Sequence, residues 1–213
     1  MLTQDYIDDL QSKSKSQLNQ DMFVLAELGF KKDGYFVEFG ATNGVDLSNT
    51  YLMETELGWT GILAEPAHVW RDDLHKNRKC HIDTDCVWAE SGRTFRFTEP
   101  EAAELSTINL YAGLDEHAAT RFFGKKYEVN TISLVDLLKK YDAPKEIDYL
   151  SIDTEGSEFD ILNAFDFDAY KIKVITCEHN HTPMREEIYK LLTSKGYTRK
   201  YTEFSNFDDW YVL

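Results

Sequence analysis

The chain has 213 residues, 42% hydrophobic and 29% charged, with a formal net charge of −15 and an isoelectric point near 4.8. So acidic a surface repels a phosphate backbone, which argues against a nucleic-acid partner, and no apolar run nears the roughly 20 residues that span a bilayer. Cys80, Cys86 and Cys177 are odd in number and the C-x5-C spacing fits no usual zinc site, so reduced thiols in a cytoplasmic protein are expected.

Residues 1–16 are polar and read as a short leading helix or a loose arm, without the basic-then-apolar pattern of a signal peptide. Leu18, Met22, Leu25 and Leu28 recur at helical spacing and Gly29 ends that helix. "YFVEF" (35–39) is an aromatic and β-branched strand. "VDLSNTYLMETELG" reads as a helix closed by Gly58, "TGILAEP" as a strand broken by Pro66, and "HVWRDDLHKN" as a helix. Residues 79–99 are strand-like with a turn at Ser91-Gly92. Residues 98–130 are aromatic but lack a clean period. They read as an insertion over the sheet that shapes an acceptor pocket, with Tyr111, Phe122, Phe123 and Tyr127 as candidate walls.

"SLVDLLKKY" is a helix with Ser133 as its N-cap. The strand "IDYLSID", the helix "SEFDILNAF", the strand "KIKVITCEH" and the helix "PMREEIYKLLTSKG" follow, and "YTRKYTEF" with "DWYVL" closes the chain as a hairpin. Strand–helix alternation builds a mostly parallel sheet with helices on both faces, in this chain with an antiparallel last strand. One domain over residues 1–213 is expected. In such sheets ligands lie at the carboxyl ends of the strands.

The turn after the first strand concentrates the chemistry. Glu38 ends the strand, and Gly40 and Gly44 bracket Ala41, Thr42 and Asn43. Two glycines four apart suggest a close approach to backbone. Glu65 ends the second strand at the spacing where nucleoside-binding α/β folds place a ribose acceptor. A dinucleotide needs G-x-G-x-x-G, and Thr42 occupies the middle glycine position. S-adenosylmethionine carries a cationic sulfonium and no phosphate, and it suits an acidic strand end better.

The stretch "GYFVEFGATNGVDLSNTYLMETELGWTGILAEP" resembles the signature of the FkbM family of S-adenosylmethionine-dependent methyltransferases. "NQD" (19–21), "NR" (77–78), "IDYLSIDTEGSEFDIL" (147–162) and "FDDWYVL" match the same pattern, from about Ser16 to the C-terminus. The resemblance implies a class I methyltransferase (Rossmann-like) three-layer sandwich whose seven-stranded sheet has the order 3-2-1-4-5-7-6. It implies O-methyl transfer to a hydroxyl of a sugar or secondary metabolite. It also implies a cofactor cradle of Glu38, Gly40, Ala41, Thr42, Asn43 and Gly44, with Ser48 and Asn49 near the methionine end. Glu65 and the adjoining Pro66 would lie at the ribose, Cys86 and Val87 beside the adenine, and Asp153 where the cofactor meets the acceptor.

Asp153 and Glu155 follow the fourth strand, and Glu178, His179 and His181 the fifth. They are the candidate catalytic groups, acting as general base or, with Asp153, as holders of a divalent metal; which group is the base stays open, as does a dimer. A nicotinamide-dependent oxidoreductase and a non-catalytic binding protein of the same fold are the alternatives. Tyr141 and Lys145 match the Y-x-x-x-K of short-chain dehydrogenases, but Pro144 disfavours a helix there, so a surface loop is expected.

Overall fold

The structure is a computed structural model and describes residues 3–115 and 117–213. Its elements in chain order are α1 (Gln4–Lys13), α2 (Gln20–Glu27), β1 (Tyr35–Phe39), α3 (Tyr51–Leu57), β2 (Thr60–Ala64), α4 (Arg71–Asn77), β3 (His81–Asp83), β4 (Cys86–Trp88), β5 (Thr94–Glu99) and β6 (Thr107–Ile108). There follow α5 (Ala118–Arg121), β7 (Lys125–Ser133), α6 (Leu134–Lys140), β8 (Glu146–Ile152), α7 (Glu158–Ala164), β9 (Lys171–Glu178), α8 (Met184–Ser194), β10 (Thr198–Lys200) and β11 (Asp208–Val212). No helix among the described residues is long and apolar enough to cross a membrane.

Seven strands form the main sheet in the order β3-β2-β1-β8-β9-β11-β10. Numbered within that sheet, this is 3-2-1-4-5-7-6, the order the resemblance implies. The first five run parallel, and β11 is antiparallel to both β9 and β10. Alternating side chains on each strand feed two cores, as a pleat of period two requires. From β1, Val37 and Phe39 pack with Leu137, Leu138, Ile161, Leu162, Ile188 and Leu192 of α6, α7 and α8. Phe36 packs on the other face with Leu10, Val24, Leu52, Met53 and Leu74 of α1, α2, α3 and α4. The result is three layers, with the strand ends left free to carry the site.

Two regions differ from the sequence expectation. The helix expected from Val45 starts only at Tyr51, because Ser48, Asn49 and Thr50 turn back to bond Glu38. Residues 86–133 also carry a second, four-stranded sheet of order β4-β7-β5-β6. Its periodicity is hidden because β5 pairs with β7 across the whole intervening segment, Glu99 facing Lys125. The Y-x-x-x-K pair is split as expected: Tyr141 donates to the Ile82 carbonyl while Lys145 lies over the Tyr170 ring.

Candidate active site

The carboxyl ends of β1, β2, β8 and β9 and the start of β4 open on one cavity of about 580 Å³. Its wall includes Glu38, Gly40, Thr42, Asn49, Glu65, Pro66, Cys86, Val87, Asp153, Glu155, Glu178 and His181 from the sequence-derived set, with Asn180 beyond them. The 103–108 segment adds Ala103, Glu104, Leu105, Ser106 and Ile108. The four aromatics singled out as acceptor walls do not line the cavity; Phe122 and Phe123 are 71% and 91% exposed. Several lining residues are non-glycines with left-handed backbone: Thr42 at φ 47°, Glu155 at 59°, Asn180 at 42° and His181 at 54°. Thr42 is β-branched and so the least tolerant of that region, and strain of this kind gathers at functional sites.

The two glycines of the first turn make room for neighbouring protein groups. At Gly40, with φ 74°, a Cβ would stand 2.0 Å from the Asp153 carbonyl oxygen, so the glycine lets β1 and β8 end side by side. At Gly44, with φ 79°, a Cβ would meet Arg78 Cγ at 2.6 Å. Arg78 is buried and is the organiser of this loop. Its guanidinium donates to the Gly44 carbonyl at 3.0 Å, Ser48 Oγ at 3.0 Å, Thr50 Oγ1 at 2.9 Å and Glu54 Oε2 at 2.7 Å. Glu38 closes the same network, accepting from Ser48 Oγ at 2.9 Å, from the Asn49 N–H at 2.7 Å and from Thr50 Oγ1. The neighbouring Asn77 donates to the Asn43 carbonyl at 2.9 Å. The "NR" pair therefore staples the first turn, a role sequence reasoning missed. Ala41, Asn43, Gly44 and Ser48 support this loop from behind and do not line the cavity.

Glu65 accepts from the Thr42 N–H at 3.1 Å and the Ala67 N–H at 2.8 Å, one bond to each oxygen. Burial pushes its carboxyl up to about 7 against these two bonds, with Glu99 adding repulsion. Cys86 is buried beside it, and burial raises its thiol to about 12, which keeps it protonated and unreactive.

The opposite wall holds three acids. One oxygen each of Asp153, Glu155 and Glu178 lie within 4.8 Å of one another. Burial and mutual repulsion raise Asp153 and Glu178 well above the usual carboxylate range. Glu155 is raised to about 7, chiefly by burial, with Arg121 pulling it back. Arg121, also missed in the sequence, reaches in from α5. It donates to Glu155 Oε2 at 2.7 Å, to both Asp115 oxygens and to the Leu105 carbonyl. Asn180 Nδ2 donates to the same Glu155 oxygen at 3.1 Å.

His179 is not brought to the cavity. Its Nδ1 accepts the His181 N–H at 3.0 Å, which leaves Nε2 to donate to the Asp208 carbonyl at 3.1 Å. Burial lowers its pKa to about 4, so the ring is a neutral strut against β11, with no free nitrogen to serve as a base. The expected catalytic part for His179 is corrected on that ground. Two further motifs of the family pattern meet across the fold: Gln20 of "NQD" donates to Asp208 of "FDDWYVL" at 2.9 Å.

No curated protein matches the chain. Among solved structures, a precorrin-6y C5,15-methyltransferase from Geobacter metallireducens aligns at 11% identity over 95% of this chain and 93% of that one, with a TM-score of 0.46. A putative RNA methyltransferase from Pyrococcus horikoshii aligns at 14% over 94% and 85%, TM-score 0.43. The N-terminal domain of human METTL16 aligns at 13% over 92% and 68%, TM-score 0.46. The Methyltransferase FkbM domain matches residues 38–199, most of the chain and every strand end that faces the cavity, and the chain belongs to that family of S-adenosylmethionine-dependent methyltransferases.

Proposed function

We propose that this protein transfers a methyl group to a hydroxyl of an uncharged or cationic small molecule or carbohydrate, with the three acids at the ends of β8 and β9 as the proton-accepting centre. The observation that carries this reading is that those acids and Glu65 face each other across one cavity. No lysine or arginine lines that cavity among the described residues, whereas Glu38, Glu65, Glu104, Asp153, Glu155 and Glu178 do. A wall of one sign attracts a sulfonium and repels phosphates. This favours S-adenosylmethionine over a dinucleotide and disfavours nucleic acid as acceptor.

The residues present fit that cofactor. Each Glu65 oxygen accepts a single backbone N–H and keeps acceptor capacity for a ribose hydroxyl. Cys86 and Val87 offer an apolar wall for the adenine, Gly40 and Thr42 bound the middle of the cavity, and Asn49 Oδ1 is buried without a partner on the methionine side. Glu38 spends its bonds on Ser48, Asn49 and Thr50, so it acts by charge and by holding the loop.

S-adenosylmethionine supplies an activated methyl on a positively charged sulfur. The protein's part is to orient the two reactants in line, worth up to about 7–11 kcal/mol, and to take the hydroxyl proton. A carboxylate poised near neutrality suits the second task, since a general base works best close to the operating pH. Glu155 at about 7 meets that condition.

The test is transfer of labelled methyl groups to a panel of neutral hydroxylated acceptors, amino sugars, nucleotide sugars and RNA. Turnover is expected on the first two classes only. Asp153→Asn should lower turnover about 10²-fold or more while the thermal shift with S-adenosylhomocysteine is kept. Full turnover in that variant, or turnover confined to anionic acceptors, would refute the assignment.

A further inference from the structure

We propose that Asp153, Glu155 and Glu178 bind one divalent cation that prefers oxygen ligands, Mg²⁺ or Mn²⁺, on the acceptor side of the cavity; this rests on the methyltransferase reading of the same site. The first observation is spacing. The three carboxylate oxygens lie within 4.8 Å of one another. A hard cation holds its oxygens at about 2.0–2.6 Å, so ligands on opposite sides stand roughly 4–5 Å apart. The cluster already has the span of a coordination shell.

The second observation is an orphaned acceptor. Glu178 is 6% exposed, and its Oε2 is buried with no hydrogen-bond partner. An unmade bond on a buried polar group costs about 1–3 kcal/mol, more when the group is charged. Glu158, four chain positions from Thr154 and equally buried, is the contrasting case of an acid with a purely structural part. Its Oε1 accepts from the Thr154 N–H, Thr154 Oγ1 and the Gly156 N–H. Glu178 has no such set.

Charge and chemistry agree. Three carboxylates meet one cation, Arg121, which Asp115 also claims through both oxygens. With all three ionised, the deficit is at least two charges, the amount a divalent ion supplies. Arg121 and Asn180 both donate to Oε2 of Glu155, which leaves Oε1 for a ligand. The donors are all carboxylate oxygens, the set favoured by Mg²⁺ and Mn²⁺ over zinc or copper. An ion there would draw in the acceptor's hydroxyl oxygen and acidify it. The new C–O bond would then form as the S–CH₃ bond breaks, the electron pair staying on sulfur and the proton passing to a carboxylate oxygen of the cluster that the ion does not hold.

The experiment titrates Mn²⁺ into the full chain, stripped with a chelator, and follows the free-ion signal by electron paramagnetic resonance. One ion per chain with a dissociation constant around 10⁻⁵–10⁻³ M is expected, displaced by Mg²⁺. Glu178→Gln and Asp153→Asn should each weaken binding about 10-fold or more. A thermal shift with S-adenosylhomocysteine in excess chelator, run on all three proteins, reports folding and the cofactor half independently. No loss of the Mn²⁺ signal at millimolar ion, or equal affinity in the variants, overturns the metal site. A cofactor shift that persists alongside that result leaves the methyltransferase reading standing, and its loss in every protein removes both.

Discussion

The two walls of the cavity are built from the same residue type and satisfied in opposite ways. On the β1–β2 side, Glu38 and Glu65 accept several bonds between them, and the loop around them is tied by a buried arginine. On the β8–β9 side, Glu178 keeps a buried oxygen unbonded, and Asp153 and Glu178 are pushed well above the carboxylate range. Satisfied buried groups give a preformed surface that needs little reorganisation. Unsatisfied ones store free energy that a ligand can release. The loop on the β1–β2 side is therefore held in place in the free protein, and the acids on the β8–β9 side wait for a proton, a cation or a substrate.

The strongest way to break that contrast is to unpick the loop on the β1–β2 side. Arg78→Met removes a buried guanidinium that bonds Gly44, Ser48, Thr50 and Glu54. Glu38, buried, and Glu54, partly buried, then lose their guanidinium partner. Losing one member of a buried ion pair costs about 3–5 kcal/mol, read from the urea midpoint. S-adenosylhomocysteine affinity should fall with it, since residues 41–50 lose their anchor. An unchanged midpoint would mean that the loop holds itself and that the first wall is no more preformed than the second.

Glu65 offers a sharper probe, because its titration separates charge from shape. Its folded value of about 7 lies above the ordinary 4.5, so the folded protein holds this proton more tightly than the unfolded chain. The stabilisation is fully present below about 4.5 and is lost as pH rises through 7. The difference amounts to about 3 kcal/mol. Glu65→Gln should remove that slope, flattening the dependence of unfolding free energy on pH between 5 and 8. In the unmutated chain, cofactor affinity should rise over the same window, because the ionised carboxylate is the better acceptor for ribose hydroxyls. Identical pH slopes in the two proteins would show that Glu65 keeps its charge throughout.

The strands were legible because β1, β2, β8 and β9 are short apolar runs bounded by turn residues, while their order was implied only by the family resemblance; the start of α6 was legible because Ser133 caps it, accepting from the Asp136 N–H at 3.2 Å. The sequence also showed Glu38, Glu65, Asp153, Glu155 and Glu178, since acids at strand ends are visible in one dimension. Arg78 and Arg121 were not visible in this way. Each lies more than 30 residues from the acid or carbonyl that defines its role, and an isolated arginine reads as surface charge. His179 misled for the converse reason: a histidine beside an acid looks like a base until its ring nitrogens are seen to be occupied. The second sheet was hidden because β5 and β7 are partners across an irregular stretch.

The smallest expected effect tests where the acceptor half ends. Phe122 and Phe123 lie edge to face on each other at the tip of the 103–124 segment, and the Phe123 ring is almost wholly in solvent. Ile108, in the same segment, is buried and lines the cavity. If the acceptor is held by what faces the cavity, Phe123→Ser should leave stability within about 0.5 kcal/mol and the acceptor's KM unchanged. A raised KM with unchanged stability would place the aromatic tip over a bound acceptor, and the boundary of the unsatisfied half would have to move outward from the acids to the rim.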